Sequence, residues 1–351
     1  MVAGELLGEK STGVALDATP LPSTATPLPS TAAPPPLTAA PLPLTATALP
    51  LTAPAASLPA VIPARSYAIL FGAQLAIGAA AIFARYALHG TGPVGVATLR
   101  LSIAALPMLF LSRRLSKKTT IAPHDEIVLV AAGIALALHF TTWIASLQYT
   151  SVAVSTLLVC TTPVWTTIYD ILFLKQKKPM GFWLALLASA AGTLLISTAT
   201  GNGINGSDKA LLGDGLALVG AVAMAGYLIL VRTVTNRYPT VMIVARTYSW
   251  GAAALLMIMP ILHEPLPKAD PISWGGIIAM ALISQMIGHT GINSALRWFS
   301  STTVALSTLL EPVFAAILAA AIFNENLPLQ SLVGCVVVMT SLVFVLKSKS
   351  A

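Results

Sequence analysis

From residue 67 onward the chain alternates between long apolar runs and short polar connections. A helix of about 20 apolar residues crosses the roughly 30 Å hydrocarbon core of a bilayer. The pattern therefore predicts an all-α integral membrane protein with ten transmembrane helices. Their predicted bounds are 67–89, 93–112, 127–147, 151–174, 180–199, 211–231, 241–262, 273–296, 301–323 and 328–346.

The first 64 residues follow a different pattern. Five seven-residue units rich in Pro, Thr and Ala run from Ala18 to Thr52, the first of them ATPLPST. Proline in every unit interrupts helical hydrogen bonding, so the period of seven indicates a disordered, partly polyproline-II tail rather than a coiled coil. A tether or partner ligand, a tolerated expansion, and upstream sequence from a misplaced start codon are alternative interpretations of this tail.

The apolar region contains an internal repeat. Shifting the sequence by 149 residues lays SLQYTSVAVSTLLVCTTPV over ALRWFSSTTVALSTLLEPV, so that Pro163 coincides with Pro312. Each half holds five predicted spans, an odd number, so the second half is inverted relative to the first. The predicted domains are a cytoplasmic tail at 1–64 and two five-helix repeats at 66–200 and 209–347. Inverted repeats are typical of secondary transporters, with the substrate site between the halves near mid-membrane.

The charges predict the orientation of the spans. If the N-terminus is cytoplasmic, the inside segments hold fourteen Lys and Arg residues and the outside loops hold two. This asymmetry favours a multi-pass protein of the cell (inner) membrane with both termini in the cytoplasm. It also accounts for the formal charge of +7, so no nucleic-acid partner is expected.

Composition excludes further classes of protein. Only 9% of the 351 residues are charged, against roughly 25% in soluble domains. The two cysteines, Cys160 and Cys335, lie in apolar runs, so we expect no disulfide, metal site or cofactor. The motif GNGING at 201–206 follows a predicted helix rather than a strand, and we interpret it as a chance match to a dinucleotide-binding motif.

The repeat carries a family resemblance. Its segments TTPVWTTIYDILFLKQKKP and EPVFAAILAAAIFNENLP, at matching places in two five-helix halves, resemble the EamA family of the drug/metabolite transporter superfamily. The resemblance covers residues 66–347 and implies export of amino acids, other metabolites or drugs. Where this family commonly has Gly-Glu after the ninth span, the chain has Asn324 and Glu325.

Glu311 and Pro312 are the main candidates for function. A carboxylate near the middle of a span is costly to bury and is usually functional, although structural pairing is the alternative. Ser307 and Thr308 are one turn earlier and are possible hydrogen-bond partners for Glu311. Pro163 and Pro312 remove helical hydrogen bonds and predict kinks, with roles in gating or in helix packing.

Other polar residues predict a pathway for substrate or a coupling ion. Gln285, His289 and Asn293 are spaced to form one stripe on the eighth span, and His139 and Trp143 share a face of the third. Simple helix–helix hydrogen bonding is the alternative interpretation.

The fourth span adds Thr162 and Trp165 to these candidates, with Asp170 interpreted as an interfacial acid. Arg100 and Arg246 are expected to reach toward the ends of the bundle or to pair with backbone carbonyls, with an Arg100–Glu311 pair left open.

Together these features predict a secondary transporter that exports a small metabolite, amino acid-like or drug-like, by alternating access. A membrane-embedded lipid-processing enzyme and an importer of the same superfamily are the alternatives. An enzyme needs clustered catalytic groups near the bilayer surface. A channel is usually built around the symmetry axis of an oligomer, and ATP-driven pumping needs a nucleotide site that the sequence lacks.

Overall fold

The computed structural model describes residues 61–116, 119–199, 208–264, 270–323 and 328–347; residues 1–60 of the predicted tail lie outside these ranges. The described residues are helical apart from short connections and contain no strand. Nine of their helices are long and apolar enough to cross a membrane: Ala64–Ala87, Pro93–Leu115, Pro123–Ser146, Met180–Ala199, Lys209–Val234, Thr240–Ile258, Pro271–Ala295, Ser301–Ile322 and Leu329–Lys347. The predicted fourth span is divided into Val152–Val159 and Thr162–Leu172.

All ten predicted spans are therefore present, and we number them in chain order. The third begins at Pro123 rather than 127, because proline is favoured in the first turn of a helix, where its missing N–H costs nothing. The end of the bundle at which the first span begins is called the proximal end below, and the opposite end the distal end.

Helix packing follows the repeat. The third span packs along the sixth, and the first packs along the eighth; the two pairs are equivalent in the repeat, and each joins the two halves. The second span packs against the seventh and the fifth against the tenth, so each of these four helices contacts its own repeat equivalent. This arrangement surrounds the middle of the bundle with helices from both halves.

The fourth and ninth spans both change conformation just before their prolines. The fourth is interrupted at residues 160 and 161, and the ninth contains a 3₁₀ turn at Thr308–Leu310. Two side-chain hydrogen bonds reach the backbone carbonyls four residues before the prolines: Val159 O accepts from Thr162 Oγ1 at 2.8 Å, and Thr308 O, which also accepts the backbone N–H of Glu311, accepts from Cys160 Sγ at 3.5 Å. The second bond joins the two interrupted helices at mid-depth.

A polar contact links the two halves at each end of the bundle. At the distal end, His89 Nδ1 lies 3.1 Å from Asp270 Oδ2, joining the loop after the first span to the start of the eighth. At the proximal end, Arg237 Nη1 lies 2.8 Å from Asp125 Oδ1, and Tyr238 donates a hydrogen bond to Asp125 Oδ2 at 2.7 Å. His89 and Arg237 are 148 residues apart and Asp270 and Asp125 are 145 apart, close to the repeat offset. The two connections are therefore equivalent in the repeat.

Asp270 also caps the eighth span. Its carboxylate accepts hydrogen bonds from the backbone N–H groups of Ile272 and Ser273, both at 3.2 Å. Desolvation opposes its ionisation, but the bonds from His89 and the two amides outweigh this effect and lower the pKa of the Asp270 carboxyl.

We expect Asp270→Ala to lower the free energy of unfolding by about 1 kcal/mol, the usual cost of losing a helix N-cap. Asp270→Asn keeps the capping oxygen and loses only the charge that faces His89, so its expected loss is smaller. Thermal unfolding of the purified variants measures both effects. Equal melting temperatures for Asp270→Ala and the wild type would contradict the capping role.

Candidate functional site

A small cavity of about 30 Å³ lies between the two halves in the middle of the bundle. Seven spans contribute to its wall, four from the first half and three from the second. The lining residues are Ile77, Ala80, Arg100, His139, Phe140, Trp143, Val159, Thr162, Met224, His289, Thr308 and Glu311. The cavity thus combines basic, acidic, imidazole and aromatic groups in a region surrounded by apolar helices.

Glu311 is the first residue of the α-helix that follows the 3₁₀ turn of the ninth span. Its carboxylate has no hydrogen bond or ion pair with any described residue. The two hydroxyls proposed as its partners bond elsewhere: Ser307 donates to Val304 O at 2.6 Å and Thr308 to Ala305 O at 2.7 Å. Both satisfy backbone carbonyls one turn back, which leaves Glu311 facing the cavity.

Arg100 differs from its expected position. Its side chain is fully buried and lines the cavity, so the expectation that it reaches the end of the bundle is wrong. Nε donates to Gln285 Oε1 at 2.9 Å, and the guanidinium carbon lies 3.8 Å from the centre of the Phe140 ring. Arg100 is the eighth residue of its helix, about 10 Å from the helix start at about 1.5 Å per residue. At that depth the side chain packs against the eighth span instead of extending to water at the end of the bundle.

The two predicted histidines meet in the cavity, with their ring centres 6.4 Å apart. His139 Nδ1 lies 2.9 Å from the backbone oxygen of Gly220, so this nitrogen carries the proton, and the bond joins the third and sixth spans. The Trp143 ring lies parallel to the His139 ring at 6.4 Å. His289 Nδ1 is buried without a partner among the described residues. His139 therefore makes a helix–helix bond and also lines the cavity.

The polar stripe on the eighth span is only partly directed at the cavity. Residues Met280–His289 form a π-helix, which changes the spacing that the sequence pattern assumed. Of the three stripe residues His289 alone lines the cavity; Gln285 bonds Arg100, and Asn293 Nδ2 donates to Tyr227 Oη at 2.6 Å.

Two candidates on the fourth span lie outside the cavity wall. Trp165 Nε1 donates to Thr161 Oγ1 at 3.3 Å. Asp170 accepts from Lys178 Nζ at 2.6 Å and from Thr302 Oγ1 at 2.7 Å, which joins the fourth span to the proximal end of the ninth. Thr162, in contrast, lines the cavity beside Val159.

Comparison with known proteins identifies the family. Two segments of the chain, residues 64–198 and 211–347, each match the family model described as the EamA-like transporter family. The chain belongs to the EamA-like transporter family. The predicted membership is thereby confirmed, and the family together with the apolar helices shows a multi-pass membrane protein.

Similar proteins carry consistent names. An uncharacterized transporter of Clostridium kluyveri is 24% identical over 244 residues, covering 68% of this chain and 77% of that protein. The uncharacterized transporters YdfC and YyaM of Bacillus subtilis are 22% and 24% identical, covering 74% and 78% of this chain and 84% and 90% of their own lengths. One crystal structure superposes with a TM-score of 0.67 at 17% identity, covering 82% of this chain and all of that one, and so shows the fold. These names point to a transporter rather than an enzyme.

Proposed function

We propose that this EamA-family transporter exports a small metabolite by alternating access and binds it in the central cavity. The observation that carries the proposal is Glu311, an unpaired carboxylate in a cavity built by both halves. In secondary transporters with inverted repeats, substrate and coupling ions bind at the interface of the repeats near mid-membrane. An ionisable residue at that depth is expensive to keep and is by default functional.

The cavity residues divide into polar and apolar contacts. Glu311 and His289 bind a polar group of the solute or carry a coupling proton, and Trp143 stacks on its apolar part. His139 and Thr162 each combine a backbone hydrogen bond with a surface facing the cavity.

Pro163 and Pro312 are proposed as the flexible points of the gating motion. Each follows an interruption in its helix, where a side chain bonds the backbone carbonyl four residues before the proline. The fourth and ninth spans are therefore proposed to bend at mid-depth.

We further propose that the proximal end faces the cytoplasm of a cell whose inner membrane holds the protein. Most described Lys and Arg residues outside the helix centres lie near this end, including Arg113, Arg114, Lys175, Lys177 and Arg237. Basic residues concentrate on the cytoplasmic side of membrane proteins.

Untargeted metabolite profiling tests the proposal. Medium and cell extracts from cells with and without the full chain are compared, and solutes that change are then followed from preloaded vesicles. Accumulation of a solute in the medium supports export, and its depletion from the medium indicates an importer. An unchanged solute profile with altered membrane lipids would instead support a lipid-processing enzyme.

Deletion of residues 2–60 is expected to leave export unchanged, because both segments that match the family model begin after this region. Export rate per inserted molecule is the measurement, with membrane insertion quantified in parallel. Loss of insertion or of export would show that the tail is needed for folding or for transport.

A further inference from the structure

We propose that Arg100 is an anion-binding residue of the central cavity and that the transported solute carries a carboxylate that binds there. The inference rests on the proposed function, since it names the chemistry of the solute that occupies the same cavity. The observation behind it is that Arg100 Nη1 and Nη2 are buried without a hydrogen-bond partner among the described residues.

The surroundings of Arg100 fix the direction of its guanidinium group. The Phe140 ring covers one face at 3.8 Å, and Gln285 Oε1 holds Nε at 2.9 Å. The Gln285 backbone oxygen is held in turn by the Tyr248 hydroxyl at 3.3 Å. With one face covered and Nε bonded, the two terminal nitrogens remain as the free edge of a planar fork. That edge matches the two oxygens of a carboxylate.

The charge balance of the cavity favours a monoanionic group. Arg100 and Glu311 line the same cavity, yet no ion pair joins them within the described part of the chain. The two side chains attract each other across the cavity without direct contact, so each can still accept a ligand group of opposite charge. A phosphate ester carries up to two negative charges, and the Glu311 carboxylate on the same cavity wall would repel them. A carboxylate needs only the one cation that Arg100 supplies.

His289 adds a second polar contact on the same wall. Its Nδ1 is buried without a partner in the described residues, and its ring is nearly perpendicular to the Phe140 ring at a centre distance of 4.9 Å. The proposed subsite thus has a guanidinium fork and an imidazole on one side of the cavity. Glu311 remains to bind an amine of a zwitterionic solute. Simple amines without a carboxylate would leave Arg100 unpaired and are excluded as good substrates.

A thermal-shift experiment on the purified full chain in lipid nanodiscs tests the subsite. Three additions are compared: a mixture of the twenty common L-amino acids with short monocarboxylates, the same compounds as their amides, and inorganic phosphate. The carboxylate mixture is expected to raise the melting temperature in a saturable way, because bound ligand stabilises the folded state. The amides and phosphate are expected to leave it unchanged. No shift with the carboxylates, an equal shift with the amides, or a larger shift with phosphate would overturn the proposal.

Two substitutions localise the effect, and a third is the matched control. Arg100→Lys keeps the charge but loses the planar fork, and Arg100→Met removes both; each is expected to weaken carboxylate binding by about tenfold or more. Arg246→Lys is the control, because Arg246 lies 146 residues later in the second half and is about half exposed near Glu126. If Arg100→Met fails to fold, carboxylate binding by Arg100→Lys alone tests the role of Arg100. Unchanged binding in Arg100→Lys, or an equal loss in Arg246→Lys, would overturn the role of Arg100.

Transport by proteoliposomes separates this inference from the proposed function. Carboxylate binding that depends on Arg100, without solute counterflow, would support the subsite and contradict the transporter role assigned to the cavity. Counterflow of carboxylate-free solutes that is unaffected by Arg100→Lys would support transport and overturn the subsite.

Discussion

Replacing Glu311 with glutamine is expected to reduce solute export about a hundredfold while leaving the protein folded and inserted. Glutamine has nearly the same shape, so packing around the 3₁₀ turn is preserved, but the negative charge facing the cavity is lost. Removing one partner of a buried charge-assisted contact costs roughly 2–5 kcal/mol, and a factor of ten corresponds to about 1.4 kcal/mol. Efflux from preloaded vesicles measures the rate, and the melting temperature and membrane insertion report on folding.

Glu126→Gln is the matched control for this experiment. Glu126 is a partly exposed carboxylate near the start of the third span, where it accepts a hydrogen bond from Trp250 Nε1 at 2.7 Å and does not line the cavity. Export by this variant is expected to equal that of the wild type. Wild-type export by Glu311→Gln would remove Glu311 from the transport pathway. A large fall in its melting temperature would instead assign the residue to folding.

The ten spans could be predicted because bilayer thickness sets their length, and this constraint acts on composition rather than on contacts. The break before Pro163 and the 3₁₀ turn before Pro312 follow from chemistry that is local in sequence. The π-helix at Met280–His289 does not follow from chemistry that is local in sequence. Its interior has no proline, and the carbonyl of Gln285, which accepts the backbone N–H of Thr290, also accepts hydroxyl bonds that include one from Tyr248 on the seventh span. Such a conformation depends on a neighbour that the sequence pattern cannot supply.

The candidate site likewise contains residues that the sequence pattern predicts and one, Arg100, whose position it does not predict. Glu311, His289, His139, Trp143 and Thr162 were singled out because a polar or amphipathic residue in an apolar run is conspicuous, and the structure places all five on the cavity wall. For Arg100 the sequence pattern favours a position at the end of the bundle, because the side chain of an arginine two turns into a helix can reach water. Its burial depends on the packing of the second span against the eighth and on Phe140 from the third.

The repeat explains why one polar cavity and two end connections occur together. The pair His89–Asp270 joins the halves at the distal end, and Arg237–Asp125 joins them at the proximal end. Alternating access requires that the two ends open in turn around a fixed site. Under the proposed mechanism, the two end contacts, which are made by nearly equivalent residues of the inverted halves, would break in turn as each end opens.

The first and eighth spans approach each other so closely at Gly276 that a single added methyl group is expected to destabilise the fold. A Cβ added there would lie 2.5 Å from Ala87 N and 2.6 Å from Phe83 O, both backbone atoms that cannot move independently of their helix. Small residues allow such approaches between membrane helices. Gly276→Ala must separate the helices and weaken the hydrogen bond of 2.6 Å from Ser273 Oγ to Ala87 O.

We expect Gly276→Ala to lower the free energy of unfolding by about 2 kcal/mol or more, the range for overpacking a tight interface. The adjacent Gly275 is the matched control, because a Cβ added there meets no atom within 4 Å. Gly275→Ala replaces glycine in a helix at an open position, so its stability should stay the same or rise by up to about 1 kcal/mol. Thermal unfolding of the two variants in nanodiscs compares them directly. Because neighbouring glycines in one helix are expected to respond with opposite sign, equal melting temperatures would show that the first and eighth spans do not pack backbone to backbone here.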